Sequence, residues 1–233
     1  MRELLARQHP HVDASDAEAA IARGEVRVDG RIVQNPRSLV RTDAVITIEP
    51  RHPPLRGQAK LAAAIAAFGV DCRDRVALDV GAAAGGFTRV LLEAGCRRVY
   101  AVDAGHGQLA GWLRQDARVI DLEGHNLGEL DTTLVPDAVE IVTIDVSYLS
   151  LGAAAPQLER VRIAGGAELV ALVKPQFELA SSDAPDTDQE LERALASAAF
   201  GFERAGWRVL SFIDSPVRGA RGARELLLYA RRR

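Results

Sequence analysis

Lysine is what this chain most lacks: of its 29 basic residues only Lys60 and Lys174 are lysines, and the other 27 are arginine. The bias implies that arginine was accepted nearly everywhere a positive charge sufficed. A surviving lysine therefore marks a position where arginine would fail, because an ammonium is compact and can lose its proton whereas a guanidinium effectively cannot. Cysteine is as scarce. Cys72 and Cys96 lack metal-ligand spacing, which leaves them as reduced residues and fits a cytoplasmic protein. Long apolar runs are missing too. The longest, Leu61 to Val70, is alanine-rich and falls short of the roughly 18 residues of a membrane span. Met1 leads into a mixed polar sequence with no signal-peptide pattern. A formal net charge of -3 excludes a chain-wide electrostatic grip on nucleic acid and leaves room for a local basic face.

What is present is enough apolar residue, 48%, for a sizeable core, and 233 residues, enough for one α/β domain plus a small module. The organising stretch is Leu78-Asp79-Val80-Gly81-Ala82-Ala83-Ala84-Gly85-Gly86-Phe87. The apolar run Val76 to Val80 reads as a buried parallel strand. It breaks into small residues before a helical periodicity begins at Phe87, Val90 and Leu91. Residues without bulk let a ligand approach the backbone, and the N–H groups of the helix start face it. The run Arg98 to Asp103 ends in a carboxylate about 20 residues on, where doubly wound folds grip an adenosine ribose. A nucleoside-containing cofactor is expected, and Asp103 suits a nicotinamide dinucleotide as well as other adenosine cofactors.

Residues 1 to 56 differ in texture. Leu4 and Leu5 start an apolar face, Asp13 or Ser15 can cap a helix that stops at Gly24, and Asp29-Gly30 marks a hairpin between Val26, Val28 and Ile32-Val33. Val45 to Ile48 reads as another strand, and Pro50, Pro53 and Pro54 as a stiff linker. From residue 57 to 233, strands alternate with helices: Glu140 to Asp145, Glu168 to Val173, Trp207 to Ile213 and Glu225 to Ala230 read as strands, Leu191 to Ala205 as a helix. The expected fold is an open, doubly wound, mostly parallel α/β sheet that binds at the carboxyl ends of its strands. Asp79, Asp103, Asp145 and Lys174 all finish apolar strands and would gather at one crevice. Lys174 is followed by Pro175-Gln176-Phe177-Glu178, whose proline stiffens the strand exit.

Two resemblances follow from these motifs. The segment Arg-Gly-Glu-Val-Arg-Val-Asp-Gly-Arg-Ile-Val (23 to 33), after two short helices, resembles the S4 RNA-binding domain. The segments 78 to 88, Val-Tyr-Ala-Val-Asp-Ala-Gly-His-Gly-Gln-Leu-Ala (99 to 110), Ile-Asp-Val-Ser-Tyr-Leu-Ser (144 to 150) and Val-Lys-Pro-Gln-Phe-Glu (173 to 178) resemble the TlyA proteins. These are FtsJ-like, Rossmann-like methyltransferases with an N-terminal S4 domain, historically named haemolysins.

The likeness implies S-adenosylmethionine as cofactor and a cytidine 2′-hydroxyl of ribosomal RNA, naked or in ribosomal subunits, as substrate. It carries the catalytic pattern Lys-Asp-Lys-Glu onto Lys60, Asp145, Lys174 and Glu225, so both lysines of the chain fall within it. Lys174 would accept the hydroxyl proton or stabilise the alkoxide, Asp145 would orient it, and Lys60 with Glu225 would position the group and balance charge. Cofactor contacts are expected from Asp79, Gly81, Ala82, Gly85, Gly86, Phe87 and Asp103, with no metal. The sequence departs from the family's pattern in its shortened S4 opening, its acidic stretch 181 to 192 and the Gly222-Ala223-Arg224 before Glu225. An RNA- or ribosome-binding protein that keeps the fold without catalysis is the alternative. Membrane lysis has no amphipathic or spanning segment behind it.

Overall fold

The computed structural model describes residues 1–233 apart from 11, 23, 50, 51, 53, 182–184 and 186, and gives the backbone alone for Arg2, Ala14 and Arg221. Pro50 and Pro53 of the expected linker, and part of the acidic stretch, lie outside the described residues. The chain folds as two compact units, Met1–Pro54 and Leu55–Arg233. Leu55 and Arg56, placed in the first segment by sequence, belong to the second unit, where the Leu55 N–H donates to Gln58 at 2.6 Å.

The first unit contains α1 (Arg2–Gln8), α2 (Ala14–Ala22) and three short antiparallel strands, β1 (Val26–Val28), β2 (Arg31–Ile32) and β3 (Ile46–Ile48), in the order β2-β1-β3. Asp13 caps α2 by accepting from the Asp16 N–H at 2.8 Å. The hairpin turns through Asp29 and Gly30, both at positive φ, and Asp29 also accepts from the Val45 N–H at 2.9 Å. Gln8 joins helix to sheet: its amide donates to the Ala44 carbonyl at 2.8 Å and accepts from the Ile46 N–H at 2.9 Å. Leu4, Leu5, Ala20, Ile21, Val26 and Ile46 form its core.

The second unit is built on seven strands: β4 (Val76–Val80), β5 (Arg98–Asp103), β6 (Val119–Glu123), β7 (Val139–Ile144), β8 (Ile163–Val173), β9 (Trp207–Asp214) and β10 (Leu226–Arg232). Their order is β6-β5-β4-β7-β8-β10-β9. The first five are parallel, and β10 runs antiparallel between β8 and β9. On one face lie α3 (Gln58–Phe68), α4 (Gly86–Glu93) and α5 (Gly111–Arg114). On the other lie α6 (Leu151–Ala154), continued by 3-10 turns to Arg160, and α8 (Asp188–Arg204). A short α7 (Pro175–Glu178) follows β8. The helical segment 151–160 and the start of β8 at Ile163 were not expected from sequence, because alanine-rich residues carry little periodicity. Cys72 and Cys96 are buried free thiols.

Two features of this topology place chemistry. The chain leaves β4 toward β5 on one side and returns as β7 on the other, so the loops after β4 and β7 part at a topological switch point. The antiparallel β10 aligns Leu226 with Val173, which sets Glu225 beside the exit of β8 at Lys174.

Far from that end, Glu168 is buried and accepts hydrogen bonds from Arg75 (2.7 Å), Arg231 (3.1 Å) and the Tyr229 hydroxyl, tying β8 to β10 and to the start of β4. Removing the carboxylate leaves the Tyr229 hydroxyl proton without its acceptor, although the hydroxyl oxygen still accepts from Arg231, and the two arginines keep access to water. Glu168→Ala is therefore expected to cost about 2–3 kcal/mol, lowering the thermal midpoint by roughly 4–12 °C. Glu168→Gln should lose less, and an unchanged midpoint in the alanine variant would contradict this role.

Candidate active site

The turn after β4 is shaped by its neighbours. Gly81 has φ +85°, and a Cβ there would lie 2.4 Å from the Asp145 carbonyl oxygen, so the first loop residue can only be glycine. The N–H groups of Gly81 and Ala82 both donate to the Val102 carbonyl (2.8 and 3.0 Å), and that of Ala83 donates to Asp103 Oδ2 at 2.8 Å. Asp103 Oδ1 accepts from the Gly105 N–H at 2.8 Å, so this carboxylate braces two loops at once. Gly86 abuts Gly57 across the starts of α4 and α3; a Cβ on Gly86 would stand 2.8 Å from the Gly57 nitrogen. That close crossing carries Lys60, one turn into α3, to the same end of the sheet.

Two adjoining cavities of about 410 and 260 Å³ open at the strand ends and share Gly81, Ala83, Asp145 and Ser147. The larger is lined by Lys60, Glu225, Lys174, Asp145, Gly86 and Phe87 among others, the smaller by Asp103, Gln108, His125 and Tyr148 among others. All four residues of the expected Lys-Asp-Lys-Glu set thus face one crevice. Lys60 Nζ donates to Glu225 Oε2 at 2.5 Å, and both side chains are about 95% buried. Lys174 Nζ pairs with Asp145 Oδ1 at 2.6 Å and donates to Ser147 Oγ at 2.6 Å. Charge is balanced pairwise, each ammonium against its own carboxylate. A Cβ on Gly219 would lie 2.2 Å from Glu225 Oε1, so the absence of a side chain there keeps the Lys60 partner in place.

Of the expected cofactor contacts, Gly81, Ala82, Gly86, Phe87 and Asp103 line the crevice and two do not. Asp79 alternates to the α4 face of β4 and is fully buried, its two oxygens accepting from the hydroxyls of Thr88 (2.6 Å) and Thr143 (2.8 Å). Gly85 faces α5, where a Cβ would strike the Leu113 side chain at 2.2 Å. The first is a brace between β4, α4 and β7, the second a site of close helix approach. Sequence reasoning passed over Ser147, Gln176, Phe177, Gly219 and Tyr148. Ser147 and Tyr148 lie within the Asp145 motif, and Gln176 and Phe177 within that of Lys174, so membership of those two motifs was the available signal. Glu178 is also informative: it accepts from the Leu151 N–H at 2.6 Å, fastening the loop after β7 to the exit of β8, and burial raises its carboxyl above the ordinary range.

Burial pushes the Asp79 carboxyl from the usual 3.8 up to about 6, against the opposing pull of the two threonine hydroxyls. The folded state then binds more protons than the unfolded one between about pH 4 and 6. The stabilisation is complete below the unfolded value and is lost as pH rises through about 6. Asp79→Asn removes this dependence, so between pH 4.5 and 7.5 the variant should gain roughly 2 kcal/mol relative to the wild type in denaturant unfolding. A difference constant across that range would contradict the assignment.

The comparisons with known proteins agree with this geometry. The FtsJ-like methyltransferase family matches residues 55–232. The 16S/23S rRNA (cytidine-2′-O)-methyltransferase TlyA of Mycobacterium tuberculosis is 35% identical, covering 92% of this chain and 83% of its own. Hemolysin A of Brachyspira hyodysenteriae is 31% identical, covering 92% of both. A solved structure from Streptococcus thermophilus, provisionally named a hemolysin, has a TM-score of 0.73 and 29% identity, covering 99% of this chain and 87% of the other. Among the described residues no helix is long and apolar enough to cross a membrane. The fold, the crevice and these relatives place the chain in the TlyA group of the FtsJ-like methyltransferase family.

Proposed function

We propose that this protein transfers a methyl group from S-adenosylmethionine to a cytidine 2′-hydroxyl of ribosomal RNA. The observation that carries the reading is the convergence of the Lys174–Asp145 and Lys60–Glu225 pairs on one crevice. The relative that shares 35% identity over most of both chains is named for this reaction. A binding protein without catalysis would have no need for two buried ammonium groups, which are costly to keep. We assign the first unit, with its two helices and hairpin, as an S4-like RNA-binding domain, the second as the methyltransferase domain, and the cytoplasm as the place of action.

The crevice suits the cofactor. Gly81, Ala82, Ala83, Ala84 and Gly86 leave its wall free of bulk where the methionine part would lie, and Asp103 stands in the adjoining cavity where the ribose would lie. When bound, S-adenosylmethionine supplies a methyl group already activated by its sulfonium, which leaves in-line placement of the hydroxyl as the main task for the protein. An ammonium has three N–H donors. Lys174 gives one to Ser147 and stands 2.6 Å from Asp145 as an ion pair, which leaves a donor for the 2′-oxygen. Its charge stabilises the 2′-oxygen as that oxygen takes the methyl group and the hydroxyl proton passes to solvent water. Asp145 and Ser147 fix the direction of that donor, and the Lys60–Glu225 pair lines the same crevice at neutral net charge.

Arginine keeps the charge of Lys174 but is too long and planar for the same geometry. Lys174→Arg and Lys174→Met should each reduce transfer of labelled methyl to unmethylated ribosomal subunits by about 100-fold or more, with cofactor affinity by calorimetry retained. Equal label transfer by either variant would remove the proposed role, and mass spectrometry that places the methyl on a base atom would contradict ribose chemistry.

A further inference from the structure

Among the described residues, the charged side chains that line the larger cavity are Lys60, Lys174, Arg56, Asp145 and Glu225. Each lysine is taken by one of the two acids. Arg56 is left over: it is exposed at the cavity and makes no side-chain hydrogen bond or ion pair. Exposure alone assigns nothing to an arginine. What sets this one apart is that it leaves the crevice with one uncompensated positive charge.

The turn that carries Arg56 is fixed even though its side chain is not. The Leu55 N–H donates to Gln58 Oε1 at 2.6 Å, and the Gln58 N–H returns a bond to the Leu55 carbonyl at 3.0 Å, so the chain closes around Arg56 and Gly57. Leu55 packs on the core of this face, and a Cβ on Gly57 would lie 3.1 Å from the Phe87 ring. The backbone is thus anchored four residues ahead of Lys60, and the guanidinium reaches solvent at the rim of the cavity that Lys60 and Lys174 line.

On the proposed reading, the chemistry of both reactants leaves this charge to be met by RNA. In S-adenosylmethionine the ammonium and carboxylate of the methionine part offset each other and the sulfonium is positive, so the bound cofactor adds positive charge to the crevice. The 2′-hydroxyl and the 3′-phosphate sit on neighbouring ribose carbons, so a nucleotide that brings its hydroxyl to Lys174 brings a phosphodiester with it. Both lysines already face carboxylates. A guanidinium open to solvent is where an anion arriving from solution is met, and its planar fork matches two phosphate oxygens at once.

We propose that Arg56 is a phosphate anchor for the RNA substrate, receiving the phosphodiester beside the target ribose and so setting the 2′-hydroxyl at Lys174. This rests on the methyltransferase reading above, and it assigns the substrate's backbone, rather than the cofactor's carboxylate, to Arg56.

The test uses the full chain, its Arg56→Gln and Arg56→Lys variants, and Arg193→Gln, which removes an exposed arginine from α8 on the other face of the sheet. Affinity for unmethylated ribosomal RNA, as transcript and in reconstituted subunits, is measured from about 0.05 to 0.3 M salt, beside initial rates of methyl transfer. Loss of one phosphate contact in Arg56→Gln should flatten the log–log salt slope by about 0.7–0.9 and weaken binding by about fivefold at ~0.1 M salt, with KM for RNA rising in step. S-adenosylmethionine affinity should be unchanged, which also shows that the variant is folded. Arg56→Lys should restore most of the slope, and Arg193→Gln should leave it as in the wild type. A wild-type slope and affinity in Arg56→Gln would overturn the anchor, as would a loss that lysine does not restore or an equal loss in Arg193→Gln. A fall in cofactor affinity with RNA binding intact would give the guanidinium to the cofactor's carboxylate and overturn it too. Wild-type protein that binds RNA but transfers no methyl would contradict the methyltransferase reading, while the salt slopes still decide whether Arg56 meets phosphate; wild-type protein that binds neither form of RNA would overturn both.

Discussion

Burying an ammonium without a partner costs several kcal/mol, and this protein buries two within reach of one crevice. That is tolerable because Lys60 meets Glu225 and Lys174 meets Asp145, one carboxylate for each charge. Much of the architecture near the strand ends follows from this constraint. The antiparallel placement of β10 exists in register with β8 so that Glu225 emerges beside Lys174. Gly57 and Gly86 let α3 approach closely enough to deliver Lys60, and Gly219 lacks a side chain because the Glu225 carboxylate occupies that space.

A second layer holds those pairs still. Asp79 ties β4 to α4 and β7 through two threonine hydroxyls, directly below the loop that carries Gly81. Asp103 links the turn at Ala83 to the loop at Gly105. Glu178 fastens the loop after β7, which bears Asp145 and Ser147, to the segment that bears Lys174. Three carboxylates thus act as struts around the crevice while two others serve as counterions within it. Their environments separate the roles. Those bonded to backbone N–H groups or hydroxyls set distances, and those bonded to ammonium groups set charge.

The strands and their carboxyl-end acids were legible because an apolar run ending in a charge is written in consecutive residues. Lys174 and Asp145 could be placed at one crevice from that pattern and a parallel sheet alone. Lys60 and Glu225 could not. One sits in a helix and the other at the start of an antiparallel strand; the scarcity of lysine pointed to Lys60, and only the family resemblance to Glu225. Asp79 resembles the other strand-end acids in sequence, yet its side chain lies away from the cavities that they line. Its side-chain parity sets it on the α4 face, and the two threonines that donate to it lie nine and 64 residues away, where no short motif reveals them. Gly85 makes room for Leu113, and in sequence such a glycine looks the same as one that makes room for a ligand. Ser147 was hidden by being an ordinary polar residue whose importance depends on a lysine 27 positions later.

A chain with two lysines allows their side-chain nitrogens to be observed without overlap. In protein labelled with nitrogen-15 at lysine Nζ, the account predicts two resonances, both slow to exchange with water. Glu225→Gln should move the Lys60 signal far more than that of Lys174, and Asp145→Asn should do the reverse. Two signals that exchange like free lysine, or that ignore both substitutions, would contradict the paired-ammonium crevice on which the account rests.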